Sequence, residues 1–288
     1  MKTSTCQARN FATQKHTSGD WNTAFSHRYS LVKKLAGKLL SRKHAGVAWL
    51  ASLTATDSLV CDLGCGKGAY TYWMLSHTRA NIVAVDWSIC ALKSITPPLS
   101  GKILPVCADV SALPFKANSF SYAYSIDTLG HVLDSYKAIQ EWERIMDVHG
   151  HMFLHSEIND YIHRWPTRIV LKRAGFDPVA VMDGHFGLKN SFAIKQELQK
   201  SFEILSTQSP AGYLGWIFGY PEKYHIAFNH AHMPFFAFIC FLMAGVKRVP
   251  VLGIVLRSIN IFSNTIELLF GACGGGSLFA KLTKNGHE

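Results

Sequence analysis

Ser58-Leu59-Val60-Cys61-Asp62-Leu63-Gly64-Cys65-Gly66-Lys67-Gly68 decides the fold. The first six residues are a short apolar strand, the glycine-rich remainder is a tight turn, and an apolar-faced helix follows over residues 69–77. A second strand, Ile82 to Val85, then ends at Asp86. Strand, glycine turn, helix, strand and acid make a parallel βαβ unit. Glycines lack a Cβ, so the backbone can turn sharply and a ligand can press against main-chain N–H groups at the helix start. Asp86 lies 22 residues after Gly64, near the ~20-residue offset at which an acid reaches ribose hydroxyls. The unit reads as half of a nucleoside site.

Strand and helix signals keep alternating outward from this stretch. Strands are expected at Ile103 to Cys107, Phe120 to Ile126 and His151 to Glu157, with a helix from Asp134 to Asp147. Late strands are expected at Ser201 to Ser206 and Ser277 to Leu282. The pattern predicts a doubly wound α/β sheet, with ligands at the carboxyl ends of its strands. The glycines alone leave the nucleoside open, because Gly64-x-Gly66-x-x-Ala69 also satisfies a loose dinucleotide fingerprint.

Three motifs in order narrow it. Asp62-Leu63-Gly64-Cys65-Gly66-Lys67-Gly68 resembles the D-x-G-x-G-x-G signature of class I S-adenosylmethionine-dependent methyltransferases, and Val83 to Ser88 resembles their second-strand motif. Ala108 to Phe120, with Leu113-Pro114-Phe115, is similar to a segment of the branch that includes ubiquinone and menaquinone methyltransferases. The resemblance covers residues 55–160 and implies a Rossmann-like, mostly parallel seven-stranded sheet with S-adenosyl-L-methionine as cofactor. It implies that Asp62 and the backbone of Gly64, Gly66 and Gly68 hold the methionine end, Asp86 the ribose, and Trp87 and Asp109 the adenine, with the Val110 backbone beside it. Ser125 would lie near the methyl group. Asp109 has an alternative as a turn cap, and Trp87 as a core aromatic. Two departures from the family pattern, Ser121 after Phe120 and Asp147-Val148-His149-Gly150 before strand five, leave the cofactor positions untouched.

Methyl transfer from a sulfonium needs alignment and exclusion of water, and a base only where the acceptor loses a proton. Such a base projects from the ends of strands four and five. Asp127 and His131 follow strand four, and alternation puts His151, Phe153, His155 and Glu157 on one face of strand five. Asp127, His131 and, more weakly, Glu157 are the catalytic candidates. No metal site is expected, because His149-x-His151-x-x-x-His155 and His225 to His232 lack zinc-ligand spacing.

Charge and oil sit at opposite ends of the chain. The net charge is +10, of which residues 1–45 carry +8, with Leu31, Val32, Leu35 and Leu39 at helical spacing among the lysines. Residues 210–280 hold six charged groups in all. The organisation expected is a basic helical lid over 1–54, a cofactor-binding core over 55–209, an apolar helical insertion over 210–275, and a last strand with tail over 276–288. The longest apolar run, Met233 to Val246, has 14 residues and contains Pro234, short of the ~20 needed to cross a bilayer. The insertion is expected to cap an acceptor or rest on a membrane, with Lys247, Arg248 and Arg257 at headgroup level and Trp216 and Tyr220 interfacial.

These features predict methyl transfer to a hydrophobic small molecule, a quinone- or isoprenoid-like ring or a lipid-linked acceptor, at a membrane surface. The alternatives are a non-methylating modification of a quinone-type ring and methylation of a small polar metabolite. The partners expected are the acceptor and a peripheral membrane contact, with a homodimer as the other use of the apolar face. Nucleic acid is not expected. Seven cysteines without a C-x-x-C pair and a start without a secretory apolar stretch point to a reducing compartment, cytoplasmic or an organelle matrix.

Overall fold

The computed structural model describes residues 41–95, 102–185, 187–269 and 274–286. The expected amphipathic helix of residues 31–43 lies almost wholly outside them. The described chain opens with α1 (Arg42–Leu53), β1 (Leu59–Leu63), α2 (Ala69–His77) and β2 (Asn81–Asp86). Next come α3 (Ile89–Leu92), β3 (Ile103–Cys107), β4 (Phe120–Ile126), α4 (Ser135–Ile145) and β5 (Met146–Glu157). After them lie α5 (Thr167–Ala174), α6 (Pro178–Asp183), α7 (Ser191–Leu198) and β6 (Phe202–Gln208). The insertion holds α8 (Pro221–His230), α9 (Pro234–Arg248) and α10 (Pro250–Leu269), and β7 (Ser277–Lys284) ends the sheet.

The seven strands run β3-β2-β1-β4-β5-β7-β6. The first five are parallel, and β7 lies antiparallel between β5 and β6. Order reverses at β1, which has β2 on one side and β4 on the other, so the crevice of a doubly wound sheet opens there. Alternation divides the strands between two cores. Cys61, Val83, Ala123, Met152 and Leu154 face α4 and α7, while Val60, Ile82, Tyr124 and Phe153 face α1 and α2. Val47 and Leu50 of α1 are fully buried against that second face, each worth about 1.5–3 kcal/mol.

Two boundaries differ from expectation for local reasons. The α4 helix stops at Ile145 and β5 begins at Met146, earlier than the expected His151. Its first residues form an irregularity, where Phe120 pairs with Met146 and Tyr122 with His151, and His149 takes a positive φ. The two sequence departures meet here, since the Ser121 hydroxyl donates to Asp147 at 2.7 Å. Of the thiols at or beside strands, Cys61 is buried, Cys90 half-buried and Cys107 exposed.

Residues 210–269 build a small core of their own. Tyr224, Ala227, Phe228, Ala237 and Cys240 pack on Val170 of α5, with Trp216 and Phe236 beside them. Trp216 serves packing, edge-on to Trp165 and Phe228. Lys247 is likewise committed inward, donating to the Gly219 carbonyl at 2.6 Å and to Glu222 at 2.9 Å. Among the described residues no single helix is long and apolar enough to cross a membrane; α9 and α10 meet at a bend of 117°.

The outer faces of α9 and α10 are inverted relative to a soluble helix. Phe235, Phe238, Phe241 and Leu242 on α9 are exposed, as are Val251, Val255, Ile259, Phe262, Ile266 and Leu269 on α10. Two polar residues of α10 tie it to the rest of the chain: Glu267 accepts from the Gly212 and Tyr213 N–H groups, and the exposed Thr265 accepts from Arg42.

A Cβ on Gly46 would lie 1.9 Å from the Phe153 ring, whereas one on Gly245 of α9 would meet nothing within 4 Å. Gly46→Ala should therefore cost about 1–3 kcal/mol by overpacking, and Gly245→Ala should be neutral or gain up to ~1 kcal/mol. Urea unfolding of both variants checks this; equal effects would show that α1 does not pack as described.

Candidate active site

The glycine turn is fixed from three sides. Gly64 and Cys65 both donate N–H bonds of 2.8 Å to the Val85 carbonyl, tying the end of β1 to the end of β2. Gly64, Gly66 and Gly68 all have positive φ, which only glycine adopts at little cost. At Gly64 the requirement is double, since a Cβ would also fall 2.1 Å from Thr128 Oγ1. Above Gly66, by contrast, a Cβ would meet nothing within 4 Å, so the turn leaves room where a ligand would approach.

Asp86 closes the turn. Its Oδ2 accepts from Gly66 N–H and its Oδ1 from Ser88 N–H, both at 2.8 Å. Each carboxylate oxygen keeps acceptor capacity, which fits the two hydroxyls of a ribose. Asp62 sits below, 3% exposed, with Oδ2 accepting from Thr71 Oγ1 at 2.6 Å and from Tyr124 OH at 2.9 Å. Burial pushes its carboxyl up to about 7, against the pull of those two hydroxyl donors.

The other expected cofactor residues divide. Trp87 is 65% exposed at the end of β2, which excludes the core-aromatic reading. Asp109 is exposed, and its Oδ1 caps the local turn by accepting from Ser111 N–H at 2.7 Å; the other oxygen remains for an exocyclic amine. The Val110 side chain is buried and its carbonyl accepts from Trp142 Nε1 at 3.1 Å, so it fixes the loop. Ser125 is fully buried and donates to the Leu63 carbonyl at 3.0 Å. Its hydroxyl braces β4 against β1.

The catalytic candidates come together with residues no spacing had linked to them. Asp127 has a φ of 57° just past β4, a conformation Asp tolerates better than most residues. Its Oδ1 lies 2.8 Å from His155 Nδ1 on the adjacent strand, and its Oδ2 contacts Lys43 Nζ of α1. Glu157 follows two residues along β5, with its Oε1 3.8 Å from His185 Nε2. The His185 ring is 4.5 Å from that of His131. Both loops are clamped: Gly187 N–H donates to the Gly130 carbonyl at 3.1 Å, and a Cβ on Gly187 would strike the Val132 carbonyl.

Burial alone would raise the Asp127 carboxyl, but His155 and the Lys43 ammonium hold it well below the usual range. Burial and the neighbouring Asp127 charge push Glu157 well above its range. Burial, then Lys43, lowers His155, and burial with His131 lowers His185 to about 4. Asp127 is therefore held ionised, while burial favours the neutral forms of Glu157, His155 and His185.

Sequence reasoning missed Lys43, Thr128 and His185. Lys43 was one of a basic run, and His185 lies 54 residues beyond His131 without a motif around it. An apolar hollow of about 380 Å³ at the α9–α10 elbow, lined by Phe241, Leu242, Val249 and Leu252, is a separate feature, since no strand end contributes to it.

The comparisons agree with this geometry. Residues 61–154 match the methyltransferase domain family. The chain is 26% identical over 169 residues to 24-methylenesterol C-methyltransferase 2 of Arabidopsis thaliana, covering 57% of this chain and 44% of that protein. It spans less than half the length of the curated relatives it matches. Haemonchus contortus phosphoethanolamine N-methyltransferase 2, solved with S-adenosylhomocysteine, superposes with a TM-score of 0.54 at 14% identity, covering 97% of this chain and 61% of that one. The cyclase SpnF superposes with a TM-score of 0.52 at 14% identity, covering 85% and 83%. The fold is the Rossmann-like fold of class I methyltransferases.

Asp62 supplies a pH test of the site. A carboxyl raised from 3.8 to about 7 holds its proton in the folded chain after the unfolded chain has lost it. Folding stability should then fall as pH rises from about 4 to about 7 and level off above. Asp62→Asn, which keeps an acceptor for Thr71 and Tyr124, should remove this slope in urea unfolding at pH 4.5, 6 and 8; an unchanged slope would place the titration elsewhere.

Proposed function

We propose that the chain transfers a methyl group from S-adenosylmethionine to a hydrophobic small molecule, a quinone- or isoprenoid-like ring or a lipid-linked acceptor, at a membrane surface. When bound, the cofactor supplies a methyl group on a sulfonium, whose positive charge already activates the leaving group. The protein contributes position and dryness. Asp62, oriented by Thr71 and Tyr124, and the Gly64–Gly68 backbone hold the amino-acid end. Asp86 takes the ribose hydroxyls, and Trp87 and Asp109 flank the adenine. An acceptor that loses a proton gives it up beside Asp127, His131 and Glu157, where an ionised carboxylate stands at the carboxyl ends of β4 and β5.

The inverted α9–α10 pair carries the acceptor and membrane reading. Phe238, Val255, Phe262 and their exposed apolar neighbours form continuous stripes, larger than scattered surface residues and of the kind that marks an interaction surface. Arg248 and Arg257 are exposed beside them, in reach of anionic headgroups. The sterol methyltransferase among the relatives is named for an acceptor of the same apolar class.

Two measurements on the full chain test this. Mass spectrometry of lipid extracts incubated with enzyme and isotopically labelled cofactor should find label in an apolar product; label confined to water-soluble metabolites would overturn the acceptor class. In flotation, the chain should rise with vesicles of phosphatidylcholine and phosphatidylglycerol, and the triple variant Phe238→Asp, Val255→Asp, Phe262→Asp should bind at least ~10-fold less. Equal recovery of both in the soluble fraction, with dimers in sedimentation, would assign the stripe to a second copy.

A further inference from the structure

The cluster at the ends of β4 and β5 contains more buried ligand-type atoms than its own contacts satisfy. Buried polar atoms in folded proteins nearly always have a partner, and an exception asks for a water or ion. Here three such atoms lie in the cluster: among the described residues, His155 Nε2, Glu157 Oε2 and His185 Nδ1 are buried without a hydrogen bond. His155 is only 2% exposed, and its Nδ1 faces Asp127 Oδ1 at 2.8 Å. Asp127, His155 and Glu157 can each offer one ligand atom so that all three lie within 4.8 Å of one another.

That spacing brings the three donors within reach of a single ion after small side-chain shifts. Metal–nitrogen and metal–oxygen bonds of ~2.0–2.2 Å place adjacent ligands about 3 Å apart and opposite ones about 4 Å apart. One imidazole and two carboxylates are a donor set for first-row divalent cations. Lys43 does not fill the position, because its ammonium lies on Oδ2 of Asp127 and leaves Oδ1 turned to His155. It also balances charge.

We propose that Asp127 Oδ1, a His155 ring nitrogen and a Glu157 carboxylate oxygen form a binding site for a divalent cation of the Zn²⁺ type, with His185 as the neighbouring imidazole. No spaced His or Cys motif announces it. Asp127 joins His155-x-Glu157 only because β4 and β5 are adjacent and parallel, with Ile126 paired to His155. With both carboxylates ionised and Lys43 on the outer oxygen, a bound divalent ion leaves one net positive charge. On the methyl-transfer reading above, an acceptor oxygen that has lost its proton would neutralise it as a further ligand.

Metal binding is measured without reference to activity, so its failure is distinct from failure of the methyl-transfer reading. Equilibrium dialysis of the full chain against Zn²⁺ should retain one ion per chain, and Co²⁺ should give visible d–d absorption that Zn²⁺ displaces. Asp127→Asn, His155→Gln and Glu157→Gln should each weaken binding at least ~10-fold, while His149→Gln, on the same strand but outside the cluster, should leave it unchanged. Because a buried variant can fail to fold, crystals of the unmutated chain soaked in Zn²⁺ give a second reading: an anomalous peak beside Asp127 and His155 is expected. Retention of no ion, or a peak only at His225 and His230 or another surface histidine, would overturn the proposal.

Discussion

Everything at the functional end of the sheet depends on the junction where the β1 backbone turns. The Val85 carbonyl accepts from both Gly64 and Cys65, and Asp86 then takes Gly66 N–H and Ser88 N–H on its two oxygens. This bracing holds three left-handed glycines open toward the crevice. Thr128 reaches the same point from β4 and excludes any side chain at Gly64. The cradle and the catalytic candidates are thus parts of one object: Thr128 touches the turn and its neighbour Asp127 anchors the acid–imidazole cluster.

Two electrostatic regimes meet there. Asp62 is a buried carboxyl with only hydroxyl partners, pushed up to about 7, and a cationic ligand group would favour its ionised form. Asp127 is held ionised by a lysine from α1. Pairs of groups driven apart in this way are a feature of functional sites, although structural ion networks produce it too. The glycine turn that follows Asp62 favours the functional reading. Farther along the chain, α8 to α10 pack with α5 around an apolar core, while α9 and α10 also expose an apolar outer face.

The central fold was legible because β1 to β4 and α2 are short-range features. The helix Ala69–His77 and the strands Ile103–Cys107 and Phe120–Ile126 stand where their apolar patterns and glycine or proline borders put them. The break at Ile145 was not legible, because the strand begins without a turn residue and Met146 suits either element. Side-chain partners were legible least. Trp87 and Asp86 follow from local pattern, whereas the Ser125 bond to Leu63, the Lys43 contact with Asp127 and the packing of His185 on His131 join residues distant in sequence. The segment's oiliness was plain from composition. That its apolar stripe faces outward, with Trp216 and Lys247 spent inside, could be read only from the packing.

The central claim is that the Gly64–Gly68 turn and Asp86 form one nucleoside-binding cradle. Calorimetric titration of S-adenosylhomocysteine into the full chain and into Asp86→Ala tests it most directly. The account predicts one site per chain, weakened at least ~10-fold in the variant, since a charged hydrogen bond to ligand contributes roughly 1.5–3 kcal/mol. Absence of binding to the unmutated chain, or equal affinity in a folded Asp86→Ala chain, would contradict it.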